Sequence, residues 1–155
     1  MRTQEALRKI RRHRPISPKG FKSLGLLGAY IGGGVFRETF RIKGTNLIVK
    51  FPLNEAESGI GHMRTEMRRL AKINQVKALR PHLPKVWYYD KSYGIIVMTR
   101  YIQPSKSRTL YLMGEIIRKL VKQYAHTEMN DIHEDNMMMT AGKNNKRLVF
   151  VDLGY

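Results

Sequence analysis

The alternation of apolar and polar residues predicts a β-hairpin early in the chain. Apolar side chains recur with strand-like spacing over residues 36–42. Gly44-Thr45-Asn46 has the composition of a hairpin turn, and residues 47–51 form a returning apolar run that Pro52 ends. We therefore expect two antiparallel strands joined by a tight turn.

Two longer segments have helical periodicity. Met63, Met67, Leu70 and Ile73 share one face of a helix predicted over about 62–75. A second helix is predicted over 110–126, with an apolar stripe that we expect to be buried. The stripe consists of Met113, Ile116, Ile117, Leu120, Val121 and Tyr124.

The remaining apolar runs predict short strands. Residues 86–89 and 95–98 are joined by a turn at 90–94, and the run 137–139 precedes a turn and a strand over 148–151. Residues 3–12 suit a short basic helix, which Pro15 and Pro18 would end. The order predicts an α+β fold, with a sheet-rich first half and a more helical second half.

Composition restricts the class of protein. The chain has 155 residues, 42% of them hydrophobic, and no cysteine. The chain is long enough to bury a core. The absence of cysteine excludes disulfides, thiolate metal sites and a cysteine nucleophile. The sequence has no apolar stretch of the roughly 18 residues that a membrane span requires. We expect a cytoplasmic protein with no membrane partner, and the alternative is a delivered effector without a visible signal.

The net charge is +17, and it is concentrated near the N-terminus. Residues 1–22 hold eight Lys or Arg against the single acid Glu5. Such a segment is either a solvated basic arm or a tether for nucleic acid. A nucleic-acid partner is possible on charge alone, although no recognised nucleic-acid-binding motif supports it.

Two features of the first half suit a bound phosphate. The run Gly32-Gly33-Gly34 is either a simple turn or a loop whose backbone N–H groups approach phosphate oxygens. Lys50 lies within an apolar strand, where it either extends to the surface or meets an anionic partner. Glu66, on the apolar stripe of its helix, is a candidate partner, although pairing with Arg64 or Arg69 is an alternative.

Oxygen-bearing side chains cluster in the second half. Glu128, Asp131, Glu134 and Asp135 form an acidic knot that is either a cation site or an acidic loop. Asp131 and Asn136 stand five residues apart. Asp152 follows the strand 148–151 and precedes Leu153-Gly154, which suits either a Mg²⁺ ligand or an ordinary turn cap.

Together these motifs resemble the protein-kinase-like superfamily. The resemblance rests on a glycine loop followed by Phe36, a strand lysine, a helix glutamate 16 residues later, a D-x-x-x-x-N loop and a D-L-G in place of D-F-G. Asp131-Ile132-His133 is similar to the D-x-H of aminoglycoside phosphotransferases and small atypical kinases. The motifs stand in the same order as in that superfamily and together span residues 31–154.

The resemblance implies a role for each of these residues. Gly32, Gly33, Gly34 and Phe36 would cover the phosphates of ATP. Lys50, held by Glu66, would contact the α- and β-phosphates, and Met98 would begin the hinge that binds adenine. Asp131 would be the catalytic carboxylate that orients or deprotonates the acceptor hydroxyl. Asn136 and Asp152 would bind Mg²⁺.

The resemblance also implies a domain organisation. A basic arm (1–22) would precede an N-lobe (23–100) and a C-lobe (101–155) that ends just after the D-L-G. We expect a minimal kinase, similar to compact bacterial effector or phage kinases, acting on Ser or Thr of a protein substrate. A partner or homodimer would complete the short C-lobe. The alternatives are a pseudokinase that regulates a partner and a basic nucleic-acid-binding module.

Overall fold

The computed structural model describes residues 2–34, 36–53, 57–102, 108–126, 137–140 and 147–151. The chain divides into two compact units. The first comprises Met1–Arg64 and Lys85–Arg100, and the second comprises Thr65–Pro84 and Tyr101–Tyr155. The predicted α+β fold with an antiparallel sheet is confirmed.

The first unit contains two short helices, a five-stranded antiparallel sheet and the beginning of a longer helix that continues into the second unit. The strands lie in the order β1-β2-β3-β5-β4, so that β3 and β5 are interior and β4 is an edge strand. The helices are α1 (Arg2–His13) and α2 (Pro18–Ser23), and the strands are β1 (Leu27–Gly33), β2 (Arg37–Ile42), β3 (Leu47–Pro52), β4 (Val86–Asp90) and β5 (Ile95–Thr99). Each strand predicted in this part of the sequence is present.

One face of this sheet packs against α1 and α2. Because side chains alternate between the faces of a strand, Val49, Phe51 and Val97 all face the helices. Phe21 of α2 meets Phe51 edge to face, with ring centroids 5.1 Å apart. This packing gives the first unit its own apolar core.

The N-terminal segment is part of that core. Ala6, Leu7 and Ile10 of α1 are buried in it, while the arginines of the same helix are exposed. Residues 18–23, where the sequence predicts a break, form α2. Ser17 caps this helix by accepting a hydrogen bond from the Gly20 N–H at 3.1 Å, and Pro18 occupies the first helical position.

Helix α3 (Glu57–Asn74) begins five residues before the predicted start at residue 62. Gly59 and Gly61 weaken the helical signal there, because glycine is a poor helix former. The first half of α3 packs closely on the β4–β5 turn: a Cβ at Gly94 would lie 3.3 Å from Ile60 Cα and 3.3 Å from Met63 Cβ. Gly94 also has φ +68°, a conformation that favours glycine.

The second unit has a separate apolar core. It contains the end of α3, a 3₁₀ segment (Lys77–His82), α4 (Arg108–Ala125), β6 (Met137–Met139) and β7 (Leu148–Phe150), with β6 and β7 antiparallel. The His82 ring joins the 3₁₀ segment to β7 through a 2.9 Å hydrogen bond between Nδ1 and the Leu148 carbonyl. In the described part of the chain, no helix is long and apolar enough to span a membrane.

The predicted buried stripe of α4 is half wrong. Ile117 and Val121 are buried, but Met113, Ile116 and Tyr124 are 44%, 59% and 57% exposed. The buried face is rotated from the predicted one and follows the spacing of Leu110, Gly114, Ile117, Val121 and Ala125. Since both faces carry apolar residues, periodicity alone does not identify the buried one.

Candidate functional site

Lys50 lies in the centre of the five-stranded sheet. It pairs with Thr39 of β2 on one side and with Ile96 of β5 on the other, and Thr39 in turn pairs with Gly32 of β1. Gly32 and Lys50 therefore stand in one cross-strand row, two strands apart, at about 10 Å. The sheet brings together the glycine run and the strand lysine that the sequence singles out.

The Lys50 side chain is only 3% exposed. It projects from the face opposite Val49 and Phe51, and thus away from the core that α1 and α2 cover. The sequence leaves open whether this lysine reaches the surface, and its low exposure shows that it does not. A buried ammonium is costly unless it meets an anion or hydrogen-bond acceptors, so this position is suited to a negative group.

The glycine run leaves open space beside two of its three residues. A Cβ at Gly32 or Gly34 would meet no heavy atom within 4 Å. The Gly34 N–H donates to the Arg37 carbonyl at 2.9 Å, which closes the connection between β1 and β2. Gly33 differs, because a Cβ there would collide with the Tyr30 hydroxyl. The backbone at Gly32 and Gly34 is therefore open to approach by a ligand.

Phe36 follows the glycine run and stacks on α3. Its ring lies 4.3 Å from the His62 ring, centroid to centroid, at an interplanar angle of 21°. The Phe36 carbonyl also accepts a hydrogen bond from the Leu53 N–H at 2.9 Å. These contacts hold the end of the glycine loop between the exit of β3 and the first half of α3.

Met98 lies on the same face of the sheet as Lys50. It stands two residues from Ile96 on β5, pairs with Ile48, and is 1% exposed. Two residues along a strand correspond to about 7 Å, so Met98 borders the row that contains Lys50.

Glu66 lies on α3 and is 2% exposed, as expected from its place on the apolar stripe of the helix. Since Lys50 belongs to the first unit and Glu66 to the second, their pairing stays a prediction.

The other predicted site residues, Asp131, Asn136 and Asp152, lie outside the described residues. Their roles also stay predictions. Over the ranges that the structure does describe, no group of three or more His, Asp or Glu side chains is arranged to hold a metal ion.

Two aromatic contacts near the glycine run are not predicted from the sequence. His62 gives no signal beyond its place one helical turn before Glu66, and its contact with Phe36 depends on tertiary packing. Tyr30 lies beside Gly33 and meets Phe40 edge to face at 5.4 Å. Its position near the glycine run is a signal that sequence analysis could have used.

Comparison with known proteins identifies the fold. A scan against models of protein families found no match, and a search of the curated proteins found none either. Among solved structures, the chain is similar to the Rio2 kinase of Chaetomium thermophilum, crystallised as an ADP/Mg²⁺-phosphoaspartate complex, with a TM-score of 0.54 and 13% identity. The match covers 88% of this chain and 50% of that kinase chain. The chain therefore has a kinase-like fold and spans half of the kinase that it matches.

Proposed function

We propose that this protein is an ATP- and Mg²⁺-dependent phosphotransferase. The observation that carries the proposal is the burial of Lys50 on an interior strand, in register with Gly32, within a kinase-like fold. A cation and open backbone positions in one row offer charge neutralisation and N–H donors to a polyphosphate.

The proposed nucleotide lies along this row. Lys50 contacts the α- and β-phosphates, and the backbone of Gly32 to Gly34 covers them. The buried Met98 borders the same face of the sheet and packs against the adenine. The similar Rio2 kinase was crystallised with ADP and Mg²⁺, which supports the same ligands here.

The proposed chemistry requires residues of the second half. Asn136 and Asp152 supply the oxygen donors that Mg²⁺ prefers, and the bound ion would neutralise charge on the phosphates. Asp131 orients the acceptor hydroxyl and takes its proton. The hydroxyl oxygen forms the new bond to the γ-phosphorus as the bond from that phosphorus to the ADP oxygen breaks. Glu66 holds Lys50 in position.

The acceptor is a serine or threonine hydroxyl of a protein. This choice rests on the kinase-like order of the motifs. A small-molecule acceptor is the alternative that the D-x-H sequence at Asp131 favours.

The test is transfer of labelled γ-phosphate from ATP with Mg²⁺ into the purified protein and a cell extract. Wild type is compared with Asp152→Asn and Asp131→Asn, which keep side-chain size while removing the charge. We expect discrete labelled protein bands with wild type and background labelling with both variants. Phosphoamino acid analysis of the bands should give phosphoserine or phosphothreonine.

Two results would contradict the proposal. Absence of label while ATP still binds would leave a pseudokinase. Equal labelling by wild type and by Asp152→Asn would mean that the label comes from a contaminating kinase.

A further inference from the structure

A cavity of about 410 Å³ lies where the residues after α1 meet the β4–β5 turn. Tyr88, Tyr89 and Tyr93 line it, together with the basic residues Arg14 and Lys91. Tyr93 is 47% exposed and offers an aromatic ring to a ligand. The volume falls within the range of small-molecule sites, roughly 300–1,000 Å³, and suits one nucleobase with its sugar.

Four cations follow the β4 edge strand from one end to the other. Lys85 precedes the strand, and its Nζ lies 4.0 Å from the centre of the Trp87 ring. Arg11 donates from Nη2 to the Trp87 carbonyl at 3.3 Å. Arg14 and Lys91 line the cavity at the other end. We call Lys85, Arg11, Arg14 and Lys91 the basic track.

Asp90 is the carboxylate in the cavity lining, and its single negative charge does not cancel the four positive charges of the basic track. Asp90 Oδ1 accepts hydrogen bonds from the backbone N–H groups of Ser92 and Tyr93, at 3.0 and 3.1 Å, and so fixes the turn. Burial and the charge of Asp90 raise the pKa of Tyr88, and the charge of Arg14 opposes them. Arg14 is therefore electrostatically coupled to the phenol in the cavity.

We propose that the cavity and the basic track bind single-stranded nucleic acid, a function beyond the proposed phosphotransfer. A base stacks on Tyr93, and the phosphates follow the track along β4. Aromatic rings flanked by Arg and Lys bind single strands in this way, since every base has a stacking face and every nucleotide a phosphate.

The structure argues against a membrane as the ligand of this basic surface. A membrane-binding amphipathic helix inserts its apolar face among lipids. In α1 that face consists of Ala6, Leu7 and Ile10, which are buried in the core of the first unit. The exposed residues of the helix are mainly Arg and Lys, with Gln4, Glu5 and His13 among them.

The test is fluorescence anisotropy of a short labelled oligouridine with the full chain. We expect Tyr93→Leu to weaken binding about tenfold, because one stacked base is lost, and Tyr93→Phe to retain affinity, because the ring remains. Arg14→Asn should lower the slope of log affinity against log salt by about 0.7, the value for one lost phosphate contact on a single strand. Asparagine suits this position because Arg14 has φ 45°.

Matched controls remove the same groups elsewhere. Tyr111 is 45% exposed on α4, and Lys43 is exposed at the β2–β3 turn. Tyr111→Leu and Lys43→Gln should leave affinity unchanged within twofold. Thermal unfolding checks that every variant is folded.

Several results would overturn the proposal. One is equal loss of affinity in the Tyr93 and Tyr111 variants, which would mean diffuse attraction to a basic surface. A second is binding of uridine monophosphate as tightly as the oligomer, since the track would then add nothing. A third is tighter, Tyr93-dependent binding of polyglutamate or of phosphatidylserine vesicles, which would identify an acidic peptide or a membrane as the ligand.

Discussion

Phe36 and His62 stack nearly parallel, with ring centroids 4.3 Å apart. Phe36 follows the glycine run of the sheet, and His62 lies in the first half of α3. The contact joins the loop proposed to cover the phosphates to the helix that also carries Glu66. It therefore couples the position of the loop to the position of α3.

We predict that this ring pair contributes about 0.5–1.5 kcal/mol beyond the area it buries, the usual value for a stacked aromatic pair. The measurement is a double-mutant cycle with Phe36→Leu, His62→Leu and the double variant, using the free energy of unfolding in urea. Strict additivity of the two single changes would show that the stacking contributes nothing.

Alanine at Gly32 or Gly34 should weaken ATP binding without weakening the fold. A Cβ at either position meets no protein atom within 4 Å, so the unfolding temperature should stay within a few degrees of wild type. The added methyl instead occupies the space through which a phosphate would reach the backbone. Calorimetric titration with ATP and Mg²⁺ measures the loss of affinity.

Gly33→Ala is the matched comparison for these two variants. A Cβ at Gly33 would displace the Tyr30 hydroxyl, at the end of a side chain that is 59% exposed and can move aside, and would lie 3.2 Å from the Arg37 carbonyl oxygen. This variant should therefore lose slightly more stability than the other two, and Tyr30→Phe should restore the part that comes from the hydroxyl. If Gly32→Ala and Gly34→Ala bind ATP as wild type does, the glycine run is only a turn.

The two apolar faces of α4 should respond very differently to truncation. Ile117→Ala leaves a cavity in the second core, because Ile117 is 8% exposed, and should cost about 2–5 kcal/mol. Ile116, its neighbour, is 59% exposed, and Ile116→Ala should change stability by about 0.5 kcal/mol or less. Urea unfolding measures both values. Equal costs would mean that Ile116 is also packed.

Stability should fall at alkaline pH, partly through Tyr88. Burial first, and Asp90 second, raise the pKa of this phenol above 10.0 in the folded state. The folded protein thus holds the proton more tightly, so the stabilisation is complete below pH 10.0 and is lost as pH rises through the folded-state pKa. Tyr88→Phe should lose less stability than wild type as pH rises from about 9 through the folded-state pKa of Tyr88. The urea midpoint at each pH measures the difference, and an identical loss in both proteins would contradict the assignment.

Strands β2 to β5 could be predicted because alternation and turn residues are local signals, whereas β1 (Leu27–Gly33) could not, because its glycines interrupt the apolar pattern. The β3 strand over 47–52, for instance, is set by its apolar run, the preceding Gly44 turn and Pro52. For Lys50, the flanking apolar residues leave both a surface and a buried position open, and only the folded structure shows that the side chain is buried. The strand register that aligns Lys50 with Gly32 could not be predicted either, since pairing between strands distant in sequence depends on the whole sheet.

Other features could not be predicted for equally physical reasons. The sequence does not predict helix α2, because Pro18 is typical of a helix break, although Ser17 before it is a common helix cap. The sequence does not identify the buried face of α4, because apolar residues lie on both sides of this helix. The contact between Phe36 and His62 has no sequence pattern, since it arises only when α3 packs beside the sheet.

The most direct test of the account is ATP binding by Lys50→Met. Methionine retains much of the lysine stem and removes the ammonium that we place on the phosphates. Calorimetric titration with ATP and Mg²⁺ should give saturable, Mg²⁺-dependent binding to wild type. The variant should remain folded and bind about 10- to 100-fold more weakly, as expected for one lost charge-assisted contact. Unchanged ATP affinity in a folded Lys50→Met protein, or no ATP binding by wild type, would contradict a nucleotide site at this sheet.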